Sequence, residues 1–149
     1  MIPPPFSSAT TSFCFRLNPG QDLKKELLYY AQVHHLKAAA ILCAVGSLKK
    51  ACLRLADGKQ ISEFAGPFEI VSLTGTLSNE AMHMHIAIAD REGRVLGGHL
   101  MEGSEIHTTA EIILLENNDL SFHRQPDPQT GYQELEVRRT FLARDAASK

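Results

Sequence analysis

At 149 residues, with 44% hydrophobic and 21% charged side chains, the chain is long enough to bury one core and has the composition of a water-soluble domain. A formal net charge of −2 supplies no overall pull toward nucleic acid. Cys14, Cys43 and Cys52 are odd in number and lack metal-type spacing, which argues for thiols as small core residues in a reducing compartment rather than a disulfide framework. The longest apolar run, Ala38 to Val45, is far too short to span a membrane, and Met1-Ile2-Pro3-Pro4-Pro5 lacks the basic start and apolar centre of a signal peptide; a cytoplasmic protein is expected.

Residues 1–12, rich in Pro, Ser and Thr, are expected to form a flexible N-terminal arm, residues 13–140 a single domain and residues 141–149 a C-terminal tail. Phe13 to Leu17 alternate as a strand would. Asn18-Pro19-Gly20-Gln21-Asp22 turns into a helix with Asp22 at its N-cap, where a side-chain oxygen can accept from free N–H groups. Leu23, Leu27, Tyr30, Ala31 and His34 then recur at helical spacing. His34 and His35 near its end read as half-buried residues with a favourable dipole contact. Ala38 to Val45 is a buried strand, broken at Gly46-Ser47-Leu48 and resumed from Ala51 to Leu55. Asp57-Gly58 is a two-residue hairpin signal, and Ile61 to Phe64 returns. Ala65-Gly66-Pro67 turns into a strand over Phe68–Leu77. Beyond the histidine hairpin described next, strands are expected at Thr108 to Leu115 and Leu120 to Arg124, with a short final element at Glu134 to Val137. Many strands and one clear helix favour an α+β fold with a mainly antiparallel sheet.

Residues 82–89 put His83, His85, Ala87 and Ala89 on one face and Met84, Ile86 and Ile88 on the other. With Arg91-Glu92-Gly93 as a three-residue loop and Gly93 as its left-handed residue, Asp90 pairs with Arg94 and His85 lies opposite His99. Cross-strand Cβ atoms are roughly 5 Å apart, so His83, His85 and His99 could converge on a metal ion and leave a coordination position open. A bulge at Gly97-Gly98 would turn His99 to the other face; alternatively, those glycines admit the close approach of another backbone or a ligand. The plainer reading is that the histidines are ordinary strand residues satisfied by hydrogen bonds.

Several segments go together: Leu17-Asn18-Pro19-Gly20-Gln21-Asp22-Leu23, Gly46-Ser47-Leu48, Gly66-Pro67-Phe68-Glu69-Ile70 running into Ser72-Leu73-Thr74-Gly75-Thr76, His83-Met84-His85 with Ala89-Asp90, Gly93 through Leu100, and Thr108-Thr109-Ala110-Glu111. In this order they resemble the Plants and Prokaryotes Conserved domain, in its free-standing prokaryotic type. The resemblance implies an antiparallel sheet flanked by helices, a homotrimer, and a metal site at His83, His85 and His99, with zinc the first candidate because imidazole suits it. It also implies a partner-contact segment at Gly66, Pro67, Phe68, Glu69 and Ile70, in which Pro67 replaces the arginine of the family pattern. DNA binding in plant members is attributed to an Arg-Gly-Arg-Pro hook, and no such segment occurs here. Lys24-Lys25, Lys49-Lys50 and Arg138-Arg139 are dipeptides that read as solvated surface charge, not a phosphate-binding face.

Three functional readings follow. The first is a metal-binding, trimeric regulatory or DNA-associated interaction module. The second is a metal-dependent enzyme whose zinc-bound water is the nucleophile, with Glu102, Glu105 or Glu111 as general base and Glu102, His107, Thr108 and Glu111 around the ligands. The third packs the histidines at a trimer interface without metal.

Overall fold

The computed structural model describes residues 5–140. The start of the expected arm, residues 1–4, and the expected tail, 141–149, lie outside the described residues. Eight strands and one helix follow in the order β1 (Thr10–Leu17), α1 (Leu23–Val33), β2 (Ala39–Arg54), β3 (Ile61–Leu77), β4 (Met82–Ala89), β5 (Val95–Leu100), β6 (Glu105–Asn117), β7 (Leu120–Pro126) and β8 (Gln133–Arg139). The α+β class and the mainly antiparallel sheet are as expected, although the described residues hold one helix where the resemblance implies flanking helices.

α1 starts where the sequence places it. Asp22 accepts from the Lys25 N–H at 3.0 Å, and its second carboxylate oxygen accepts from the Gly103 N–H at 2.6 Å, so one side chain caps the helix and ties it to the β5–β6 turn. Leu23, Leu27 and Ala31, one stripe of the helix, are fully buried. At the far end, His35 takes a positive φ of 54°, and the Leu36 and His35 N–H groups reach back to the carbonyls of Ala31 (2.9 Å) and Gln32 (3.2 Å). This is the hydrogen-bond pattern of a Schellman ending, with histidine in the position usually given to glycine. Replacing Asp22 by Ala is expected to lower stability by about 1–2 kcal/mol, read as a shift in urea midpoint at unchanged slope.

β2 and β3 are each continuous where the sequence suggested pairs of shorter strands. The break expected at Gly46-Ser47-Leu48 is a set of register shifts against β6 that bends β2 without ending it. Ala65-Gly66-Pro67 is likewise absorbed: Leu48 pairs with Phe68 and Lys50 with Ala65, so Gly66 and Pro67 together face Lys49. A proline, with no N–H to give to the ladder, is tolerated at such a bulge. The Asp57-Gly58 turn has Gly58 at φ 72° and the Asp57 carboxylate accepting from the Lys59 and Gln60 N–H groups.

The sheet runs β1-β6-β2-β3-β4-β5, and β5 also pairs with β2. The last pairing closes β2, β3, β4 and β5 into a small barrel. β5 and β6 lie end to end along one edge of β2; in the turn between them the Met101 N–H donates to the Cys52 carbonyl and the buried Ser104 hydroxyl accepts from the Cys52 N–H. The core fills the barrel and the space under α1, with Leu53, Met84, Ile88 and Leu100 from the barrel strands and Ile106, Ile112 and Leu114 from β6. β7 and β8 form a separate hairpin. Of the cysteines, only Cys52 is buried; Cys14 and Cys43 are exposed, against the expectation that all three fill the core. Among the described residues, no helix is long and apolar enough to cross a membrane.

Candidate metal centre

The histidine hairpin has the register read from its sequence. Asp90 and Gly93 close the loop, with the Asp90 N–H donating to the Arg94 carbonyl and the Gly93 N–H to the Asp90 carbonyl, and Gly93 sits at φ 78°. His85 pairs with His99 without a register shift through Gly97-Gly98. Met84, Ile86 and Ile88 are buried in the barrel, which leaves His83 and His85 on its outer face beside Thr76 and Thr74 of β3. The glycines serve close approach: a Cβ on Gly98 would stand 2.8 Å from the Arg54 carbonyl oxygen, and one on Gly97 would stand 2.6 Å from that of Ile86. The bare backbone at Gly98 is what lets β2 lie against β5, and it places Arg54 directly opposite His99.

The three imidazole rings lie 5.0, 5.0 and 5.7 Å apart between centroids, and one nitrogen from each falls within 4.8 Å of the other two. The Nε2 atoms of His83 and His85 are 3.2 Å apart. In the metal-free protein that separation is a hydrogen bond between the two rings, and it is close to the roughly 3.3–3.4 Å that a tetrahedral zinc with Zn–N bonds of about 2.0–2.1 Å needs between nitrogens. Nδ1 of His99 is buried and has no hydrogen-bond partner among the described residues. A buried polar atom without a partner is costly, and three converging neutral imidazoles, each with one free lone pair to give, fit a divalent cation of borderline softness.

Protonation is also set for ligation. Burial, with Arg54 and then His83 beside it, holds the His99 imidazole down at about 4. Burial, then His85, Arg124 and Arg54, lowers His83. Both rings are therefore neutral at neutral pH, the form that binds metal. The unfolded chain takes up these protons near pH 6.5, while the folded chain resists them. The contribution of these histidines to the stability of the metal-free protein is thus expected to be full above about pH 6.5, to be lost as pH falls, and to level off below about 4. A His99→Gln variant should show a shallower decline in melting temperature between pH 7 and 5; equal slopes would contradict the assignment.

In front of the histidines lies a cavity of about 640 Å³, whose walls include Arg54, Met82, Arg124, Tyr132 and Glu134. Arg124 donates to the Thr76 hydroxyl at 3.0 Å, which fixes the β7–β8 hairpin beside the site. None of these five residues was singled out from the sequence. The residues expected around the ligands lie elsewhere: Glu102 pairs with Lys25 (3.5 Å), Thr108 shares a hydrogen bond with Ser47 (2.8 Å), and His107 and Glu111 are exposed along β6. Glu105, the other candidate base, pairs with Lys49 at 3.1 Å. Among the described residues, Glu134 is the carboxylate that lines the cavity.

Fold and site together define a small antiparallel barrel domain with three histidines on one outer wall, facing a cavity. The profile of the Plants and Prokaryotes Conserved domain matches residues 5–118, and the chain belongs to that family. A hypothetical protein of known structure from Salmonella enterica shares 37% identity over 91% of this chain and 99% of its own, with a TM-score of 0.90. A metal-containing protein from Archaeoglobus fulgidus shares 27% identity over 91% and 99% of the two chains, with a TM-score of 0.78. The bifunctional protein GlmU of Synechococcus sp. strain JA-3-3Ab is 48% identical over 128 residues, 86% of this chain but 21% of the relative. The chain spans about a fifth to a quarter of the curated relatives it matches.

Proposed function

We propose that this chain is a metal-binding interaction module in which His83, His85 and His99 hold one divalent transition metal, zinc in the first instance, with a coordination position open to the cavity. The observation that carries the reading is the convergence of three imidazole nitrogens within 4.8 Å beside a buried, unpartnered Nδ1. The description of the Archaeoglobus fulgidus relative as metal-containing supports it. When bound, the metal supplies a Lewis acid at neutral pH. The chain's own residues orient it: the β4–β5 register presents the rings, and burial keeps His99 unprotonated. Elemental analysis of untagged protein should find about one zinc or similar ion per chain. No metal, even after zinc is offered, overturns the reading.

The module acts as a homotrimer in this proposal. Leu42, Val45 and Val71 are 60%, 50% and 55% exposed on β2 and β3, apolar surface that a second copy would cover. Gly66-Pro67-Phe68-Glu69-Ile70 is the proposed partner-contact segment; Phe68 and Ile70 are buried in the core, so Glu69 is the side chain it offers outward. Light scattering should give three times the chain mass. Any association with DNA, proposed from the family alone, would come through assembly or a partner, and absence of a gel shift at low salt would remove direct contact.

One observation favours a second reading, a metal-dependent enzyme: the histidine cluster opens onto a cavity with a carboxylate, Glu134, in its wall. Turnover of any substrate that survives His99→Ala would count against it.

A further inference from the structure

We propose that the cavity in front of the histidines takes a small organic anion, a carboxylate or a phosphoryl compound, gripped by the Arg54 and Arg124 guanidinium groups while one of its oxygens occupies the open position on the metal. The proposal rests on the metal-binding reading above and names the ligand class of that site.

The observation behind it is a contradiction in charge. A site that had only to hold a cation would not place arginines around it, because like charges raise the energy of the bound ion. Yet Arg54 stands directly opposite His99 in the β2–β5 pairing, and Arg124 lines the same cavity. These are the half-buried arginines among the described residues, and neither has a carboxylate within ion-pairing distance there. Three of the five exposed arginines among the described residues are paired, Arg94 with Asp90, Arg138 with Glu136 and Arg139 with Asp119; Arg16 and Arg91 are exposed to solvent, which screens their charge. Arg124 has one hydrogen bond, to Thr76, which aims it but leaves its charge uncompensated. Glu134, the cavity's carboxylate, accepts from the Thr130 hydroxyl at 2.8 Å. One carboxylate against two guanidinium groups and a divalent ion leaves an excess of positive charge in a concave space. An oxyanion resolves that excess, since guanidinium donors match carboxylate and phosphate geometry and the metal takes an oxygen donor.

The cavity also selects size and character. About 640 Å³ lies in the range of small-molecule sites. Met82 and Tyr132 give it apolar wall, so the ligand carries a carbon skeleton as well as a charge. A nucleic-acid backbone would need a basic track running beyond the cavity. The basic clusters outside it are isolated dipeptides.

The two arginines predict opposite responses to metal and to anion, which a merely structural role would not. Zinc is titrated first into metal-free wild type, Arg54→Gln and Arg124→Gln by calorimetry; phenyl phosphate and inorganic phosphate are then titrated into the zinc-loaded proteins. Zinc should bind Arg54→Gln as tightly as wild type or more tightly, because a repelling charge is gone. Phenyl phosphate should bind wild type more tightly than inorganic phosphate does, and each variant about tenfold or more weakly than wild type. Phenyl phosphate that fails to bind zinc-loaded wild type, or binds both variants as well as wild type, overturns the anion grip and leaves the metal reading standing. Inorganic phosphate binding as tightly as phenyl phosphate overturns the organic character of the ligand. Failure of wild type to take up zinc overturns the metal reading itself, and this proposal with it.

Discussion

His99→Ala is expected to lower zinc affinity by on the order of a hundredfold or more. Substituting a group that merely hydrogen-bonds to a metal ligand typically costs about 10- to 100-fold in affinity, and loss of a ligand itself should cost no less. Of the three proposed ligands, His99 is the one whose loss should matter most, because it is the one on the second strand of the hairpin, wedged between His85 and Arg54. His83 and His85, both on β4, would then hold the ion from one side only. The same variant separates metal binding from packing. The wild-type protein should gain about 2.7 kcal/mol of apparent stability when free zinc stands at a hundred times its dissociation constant, and the variant should gain almost none. Without metal, the variant should be about as stable as wild type, since the buried Nδ1 it removes has no hydrogen bond to lose. A variant that still takes up zinc with wild-type affinity would place the ion elsewhere.

Gly98→Val is expected to destabilise the fold by about 1–3 kcal/mol and to weaken the metal site at the same time. The reason is local. The first side-chain carbon would stand 2.8 Å from the Arg54 carbonyl and 3.4 Å from the Leu53 Cβ, so β5 must move off β2. That opens the barrel at its closing seam, where Leu53 pairs with Leu100 and Arg54 with His99. Zinc affinity should fall although no ligand has been touched. Gly93→Ala is the control: open space surrounds that position, and its cost is confined to a positive φ of 78° in an exposed turn, with little effect on zinc. Equal zinc affinity in Gly98→Val and wild type would show that the seam does not position His99.

Both expectations concern one hairpin, and the hairpin was the part of the molecule most legible in the sequence. Period-two alternation gives the outward face of β4 and the Asp90–Arg94 loop gives the starting register; the local sequence leaves a bulge at Gly97-Gly98 open, and the unbroken ladder through those glycines closes it in favour of the His85–His99 pair. The N-cap at Asp22 was legible for the same reason, being a local hydrogen bond between a short side chain and the first turn. What the sequence concealed depends on distant pairing. Arg54 reaches His99 because the barrel closes between β2 and β5, some 45 residues apart, and nothing local to either strand signals that contact. Arg124 and Glu134 arrive with a separate hairpin that lies beside the site. Glu102 follows His99 by three residues and Glu111 lies in a strand, yet the turn at 101–104 carries β6 away along the edge of β2; Glu102 meets Lys25 of α1, and Glu105 meets Lys49 of β2. Gly46-Ser47-Leu48 and Ala65-Gly66-Pro67 read as strand ends because glycine and proline punctuate most strands; here bulges absorb them and the strands run on.

In the proposed site one metal ion sits among His83, His85 and His99. Anomalous diffraction from a crystal of the zinc-loaded protein, collected on either side of the zinc absorption edge, tests it most directly. The predicted result is one edge-dependent peak per chain, about 2.0–2.1 Å from a nitrogen of each of the three rings, with its remaining side toward Arg54 and Arg124. A peak at other residues, or none at this wall in a crystal shown to contain zinc, would contradict the account.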